Sequence, residues 1–305
     1  MTLAPKCSID LKKILEGAQL PALPQSAIRL LELSQDTTNG PAEFAVPIES
    51  DPGLAGQVLR FVNSSYFGFS KEISSVKLAI TLVGIRTIKN FALWSAVFSL
   101  MPNPKCGPFD LKGLWQDSLR RALFARAMGK LLGLKEAEEP FSAALLQDMA
   151  VPLLAKEAPA IYEKLLEARE DGEYRLSFLE NQMLGWTHAE AAGIMARQWN
   201  LPDQFAALVE YHHAIDRLVE EKDSEAGKLA VAMSALLPTT ADPIWQEATV
   251  FEGHYQTVCP ASGPSVIELL EATDREYAEF APVLKLSTPG KSLADSFNEV
   301  TVAAS

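Results

Sequence analysis

Met101-Pro-Asn-Pro-Lys-Cys-Gly-Pro108 divides the chain in two. Three prolines and a glycine in so short a run cannot sustain a helix, and the patterns on both sides are helical. Upstream, a stiff Leu20-Pro-Ala-Leu-Pro24 entry leads into Ala27, Ile28, Leu30 and Leu31 at helical spacing. Ser50-Asp51-Pro52 then combines a capping residue with proline at a first turn. It opens a helix with Leu54, Val58, Leu59 and Val62 on one side, ending near Asn63. Ser74-Ser75 is the next cap, and one long helix is expected after it, burying Val76, Ile80, Val83, Phe91 and Phe98. Downstream, a second helical set runs from about Phe109 to Leu237, and Ala261 to Phe280 reads as helix too. The last residues are small and polar. No strand-like alternation is sustained and no internal repeat is present. The expectation is an all-α chain with a helical bundle module over 10–101, a second helical module over 109–285 packed against it, and a frayed tail over 286–305.

The 305 residues carry a formal net charge of −12, and 48% of them are hydrophobic. Such a surface repels duplex DNA and anionic membranes unless a basic patch overrides it. The densest basic cluster, Arg120, Arg121 and Arg126, reads as one helix face. No nucleic acid and no membrane are therefore expected as partners. The apolar run from Leu78 to Met101 contains Arg86, Lys89 and Asn90, which are costly in hydrocarbon, so it reads as a buried helix. The cysteines, Cys7, Cys106 and Cys259, are three and far apart, which fits a reducing compartment, and no apolar leader is seen. The expected location is the cytoplasm. Phosphate-loop, dinucleotide and nucleophile-elbow motifs are missing.

Three of the four histidines, His188, His212 and His213, fall in one short region. Thr187 and Glu190 form a capping box, so a helix should start at His188. The positive end of the helix dipole disfavours imidazolium, so the ring should be neutral, as a metal ligand must be. His188 reads either as a ligand or as a polar residue at an exposed helix start. Phe205, Leu208, Val209 and His212 share a helical face, which turns His212 toward the core or a pocket beside it. Asp148 follows Ala144 and Leu145 on its own face, so its carboxylate should be buried. A buried carboxylate needs a metal, a cation or several donors. Pro152 cannot donate to the Asp148 carbonyl, so an opening is expected there. His254 reads as a loop or helix-end residue.

Several stretches together resemble the HDOD domain. They are Leu20-Pro-Ala-Leu-Pro24, Ile48-Glu-Ser-Asp-Pro-Gly-Leu54, Phe61-Val-Asn-Ser-Ser-Tyr-Phe-Gly68, Ile73-Ser-Ser-Val-Lys-Leu-Ala-Ile80 and Leu82-Val-Gly-Ile-Arg-Thr-Ile-Lys-Asn-Phe91. Leu114-Trp-Gln-Asp-Ser118, Gln147-Asp148, Gly185-Trp-Thr-His-Ala-Glu190, Trp199-Asn-Leu-Pro202 and Tyr211-His-His213 continue the match. The likeness runs from about residue 15 to 237. It implies an HD-like helical module, related to HD and HD-GYP metal phosphohydrolases, in a bacterial signalling protein.

The resemblance also marks departures. Asp117 stands where an active relative has histidine, and Gln147 stands where it has the histidine of the His-Asp pair. A late aspartate expected around Ala232-Met-Ser234 is absent. Asp148, His188, His212 and His213 remain as metal-ligand candidates, with Asp117 and Gln147 at degenerate positions. A two-metal site that activates water is not expected, while one divalent transition metal stays open. The expected function is a non-catalytic regulatory module acting through a signalling protein, a nucleotide second messenger or another small ligand. The alternative is a degenerate single-metal phosphohydrolase acting on cyclic dinucleotides or phosphomonoesters.

Overall fold

The computed structural model describes residues 10–304 except 19, 35, 37, 136, 170, 171 and 223. Cys7 lies outside the described residues. Every regular element among those described is helical. The first six are α1 (Leu11–Gly17), α2 (Gln25–Leu33), α3 (Pro41–Glu49), α4 (Pro52–Val62), α5 (Val76–Val83) and α6 (Ile85–Leu100). After the proline-rich stretch come α7 (Leu111–Leu131), α8 (Glu138–Leu146), α9 (Ala150–Glu157), α10 (Pro159–Glu167), α11 (Leu176–Leu184) and α12 (His188–Gln198). The chain ends with α13 (Asp203–Glu210), α14 (Ile215–Glu220), α15 (Ala226–Ala235), α16 (Ala248–Val258), α17 (Val266–Phe280) and α18 (Leu293–Ala304). No helix among the described residues is long and apolar enough to cross a membrane.

The helices fall into two units. One comprises Pro21–Met101 with Glu276–Ser287. Its helices start where the sequence supplies caps: Asp51 accepts from the Leu54 N–H at 3.1 Å, and Ser75 from the Leu78 N–H at 3.3 Å. Asn63 clamps the loop between α4 and α5, donating to the Ile73 carbonyl and accepting from its N–H, both at 2.7 Å. The long helix expected after Ser75 is instead two, α5 and α6, broken at Gly84. Gly84 has φ +98°, a conformation L side chains rarely adopt. A Cβ there would meet nothing within 4 Å, so only backbone strain opposes a side chain. Gly84→Ala is expected to cost about 1–3 kcal/mol in urea unfolding, and no loss would show the break is not obligatory. Val83 and Phe98, expected buried, are half-buried. Residues 276–287, which the sequence reading divided between the second module and the tail, belong here because Phe280 packs on Phe61 and Tyr66 at centroid distances of 5.2 and 4.7 Å.

The other unit contains α1, Pro102–Arg275 and Thr288–Ser305. Its centre is α7, which is buried from Trp115 to Arg126 and packs against α8 and α15. Arg120, Arg121 and Arg126, the basic cluster read as one helix face, are all buried. Phe124, Trp245, Phe251 and Leu270 build the core behind it. The tail expected to fray forms α18, with Leu293 and Phe297 buried at i,i+4 spacing. The Asp274 carboxylate holds its start, accepting from the N–H groups of Leu293 and Ala294 at 3.0 and 3.1 Å. Cys106 is buried and Cys259 half-buried, and both are free thiols.

Candidate functional site

Three local breaks in the second unit bring the candidate residues together. The α8 helix stops at Leu146 and α9 begins at Ala150, so Asp148 sits in the turn between them. Pro152 has no N–H for the Asp148 carbonyl, which explains why one helix cannot run through. His188 is the first residue of α12, whose capping box has the Thr187 N–H donating to Glu190 at 3.3 Å. His212 and His213 lie in the turn just past α13, not inside it.

One donor atom from each of Asp148, His188, His212 and His213 lies within 4.8 Å of all the others. His188 Nε2 is 3.1 Å from Asp148 Oδ1 and 3.0 Å from His213 Nε2. His212 Nε2 is 3.7 Å from the same Asp148 oxygen. His212 donates from Nδ1 to the Val209 carbonyl at 2.6 Å, which leaves Nε2 as an acceptor. That Nε2 is buried with no hydrogen-bond partner among the described residues. A tetrahedral ion with ligands at about 2.0–2.1 Å implies donor separations of roughly 3.3–3.5 Å. The donor set therefore fits one metal ion, with three imidazoles and one carboxylate oxygen.

It does not reach two. Asp117 is outside the group: its carboxylate accepts from the Thr240 N–H at 2.8 Å, and burial pushes its carboxyl up to about 7. Gln147 is fully buried. Ser234 donates to the Val231 carbonyl at 2.6 Å, and the same hydroxyl lies 3.4 Å from Gln147 Oε1. His254 lies within α16, 3.6 Å from Asp216 and apart from the group.

Two residues that the sequence reading passed over shape the electrostatics. Arg121 pairs with the second oxygen of Asp148. Burial opposes the Asp148 charge, yet Arg121 and His188 hold its carboxyl well below the usual range. Glu180, fully buried on α11, accepts from the His188 N–H at 2.8 Å, from His188 Nδ1 at 2.6 Å and from the Tyr162 hydroxyl at 2.7 Å. Burial would push His188 down, but the Glu180 and Asp148 carboxylates outweigh it and raise it to about 10. Two direct carboxylate contacts thus oppose the neutral ring expected from the helix dipole. Burial pushes His212 down to about 3 and holds His213 well below its usual range, so both are neutral acceptors.

The HDOD domain family model matches residues 20–215. The chain belongs to the HDOD family. An HDOD domain protein of unknown function from Geobacter sulfurreducens shares its fold, with TM-score 0.69 and 20% identity over 91% of this chain and 97% of that one. A candidate phosphohydrolase from Shewanella amazonensis is similar, with TM-score 0.63 and 21% identity over 94% and 97% of the two chains. At such identities the likeness concerns the fold. An uncharacterized protein of Treponema pallidum is 24% identical over 203 residues, which are 65% of this HDOD chain and 39% of that protein. The chain thus spans about two-fifths of the curated relative it matches.

Proposed function

We propose that this HDOD chain is a regulatory module that works by binding rather than by hydrolysis. One observation carries the reading: Gln147 stands where an active relative keeps histidine, and it is fully buried beside the Ser234 hydroxyl, with no carboxylate over 232–234 where such a relative keeps its late aspartate. A neutral amide and a hydroxyl cannot hold a second divalent ion as imidazole and carboxylate do. Arg121 adds to this by placing a permanent cation on Asp148. A net charge of −12 favours a signalling protein or small ligand over nucleic acid as partner, and a cytoplasmic setting suits the free thiols. The test is turnover of cyclic di-GMP and p-nitrophenyl phosphate by the full chain with added manganese, zinc or magnesium. Turnover below about 10⁻³ s⁻¹ is expected, where working enzymes reach about 1–10³ s⁻¹. Turnover near 1 s⁻¹ that Asp148→Asn abolishes would overturn the reading.

A second reading, one bound divalent transition metal, is favoured by the unpartnered His212 Nε2 aimed at Asp148. Asp148, His188, His212 and His213 would hold the ion, which would supply a Lewis acid and a more acidic water. Metal analysis of protein purified without chelators is expected to find about one ion per chain, lost in His212→Ala. Less than about one ion per ten chains would sink this second reading.

A further inference from the structure

In the second unit, residues 236–247 join α15 to α16 through turns and bends. The connection is pinned at two points. Leu237 is buried near one end. Trp245 is buried near the other, where its ring packs on Phe251 and Phe297 and its indole N–H donates to the Leu236 carbonyl at 2.9 Å. Between these anchors Thr239, Thr240 and Asp242 are half-buried, while Ala241, Pro243 and Ile244 are exposed. A stretch anchored at its ends, with so little buried between them, belongs to the part of a fold that opens most readily.

Polar contacts hold the middle down. The Thr240 N–H donates to Asp117 at 2.8 Å, and Lys291 donates to the Pro243 carbonyl at 3.1 Å. Arg169 donates to Asp242 at 2.5 Å, and Arg175 donates to Glu247. The Asp242 carboxylate also accepts from the Thr239 N–H at 2.8 Å, so it ties the stretch both to itself and to Arg169. Gly172 permits this approach, since a Cβ there would lie 2.7 Å from Asp242 Oδ1. The closed fit is imperfect. The Thr239 hydroxyl and the Arg169 Nε are buried with no hydrogen-bond partner among the described residues, which costs free energy while the stretch is down.

These contacts stand where two spaces meet. The stretch lines an inner cleft of about 160 Å³, which Asp148 and His188 line as well. Gly172, Arg175 and Glu247 line both that cleft and an outer groove of about 460 Å³. The Arg175–Glu247 pair therefore lies at the boundary between the two.

We propose that residues 238–244 form a strap over the inner cleft, latched by Asp242 to Arg169 and by Glu247 to Arg175, and that release of the latch opens the cleft beside Asp148. The strap swings on Leu237 and Trp245 while the helices on either side keep their places. It gates access to the Asp148 group whether or not an ion sits there. An element with two arrangements also gives a regulatory module something to switch, because a partner that binds only the open form shifts the balance toward it.

Thiol labelling of the full chain carrying Val151→Cys tests the strap. Val151 lines the cleft and is 4% exposed. Methyl methanethiosulfonate is the probe, and mass spectrometry reads each cysteine separately. Two native thiols serve as controls. Half-buried Cys259 reports ordinary surface reactivity. Buried Cys106, whose thiol donates to the Pro159 carbonyl at 3.4 Å, reports opening of the whole unit. The introduced thiol is expected to react at least tenfold more slowly than Cys259. Adding Asp242→Asn should speed it at least tenfold, the size of one lost charge-assisted hydrogen bond. Adding Glu247→Gln, at a more exposed pair, should speed it at least threefold. Cys106 should keep its rate in both variants. An introduced thiol that reacts as fast as Cys259 before either change would overturn the proposal, because the cleft is then already open. So would unchanged labelling in both variants, since the two pairs are then no latch. Acceleration of Cys106 in step with the introduced thiol would equally refute it, as unfolding of the unit rather than release of a strap.

Discussion

Arg121→Met is expected to destabilise the second unit by about 3–5 kcal/mol at pH 7, because it removes the strongest partner of a buried carboxylate and leaves only His188 beside Asp148. Both side chains are buried, Arg121 at 7% exposure and Asp148 at 5%, so water does little to soften the loss. For a unit of this size the melting temperature should fall by roughly 6–20 °C. The pH dependence identifies the cause. Asp148 is lowered in the folded chain, so its contribution is present above the unfolded carboxyl value, near 3.9, and is lost as pH falls through the folded value. Without Arg121 the carboxyl takes up its proton at higher pH, and the variant has less left to lose in acid. The stability gap between parent and variant should therefore narrow as pH falls below about 4, toward the parent's folded value. Arg121→Met/Asp148→Asn, which removes both charges, should recover more than half of the loss. Melting curves at several pH values check all three statements. A single variant within about 2 °C of the parent, or a gap that does not change with pH, would show that the pair is not what holds Asp148.

How far the sequence could reveal this pair depends on what local pattern encodes. Caps and periodicity made α4, α5 and α12 visible, because their signals lie within a few residues of each helix. The expected single helix after Ser75 failed because apolar spacing continues across Gly84, while the break is a matter of φ. The tail failed because its composition is polar, although Leu293 and Phe297 already stood at i,i+4 spacing. Arg120, Arg121 and Arg126 were read as one helix face, with no local signal to say whether that face is wet or buried. The α7 helix is covered all round, and only tertiary packing could reveal that. One clue was available: Arg121 lies four residues after Asp117, on the face that the family resemblance turns toward the site. The grouping of Asp148, His188, His212 and His213 was legible through that resemblance and the helical faces. Arg169, Arg175 and Glu180 carry no local signal, since each acts on residues distant in sequence. At His188 the helix dipole meets opposing carboxylates, and magnitude decides between them. A helix terminus contributes about 0.3–1 kcal/mol, less than two carboxylates in direct contact within a buried site.

Glu180→Gln carries that last point to a measurement. Glu180 receives three donors, and a glutamine can accept on one oxygen only while its NH₂ faces another donor. The expected cost is about 2–4 kcal/mol near pH 6.5, from a broken buried network and a lost countercharge. His188 should fall from about 10 toward its ordinary range. The sign follows from the direction of the shift. A raised histidine stabilises fully below its unfolded value, near 6.5, and that contribution is lost as pH rises through the folded value. The parent should therefore lose stability between pH 6.5 and 10 that the variant has already lost, and the gap between them should narrow across that window. Nitrogen NMR of the His188 ring reads the same change directly, as a neutral ring at pH 8 in the variant and an imidazolium in the metal-free parent. Tyr162→Phe separates packing from charge. It removes one hydroxyl from Glu180 and should cost about 1–2 kcal/mol while leaving His188 charged. If Tyr162→Phe neutralises His188 as fully as Glu180→Gln does, or if neither variant changes its titration, then Glu180 is not the group that fixes the charge of His188.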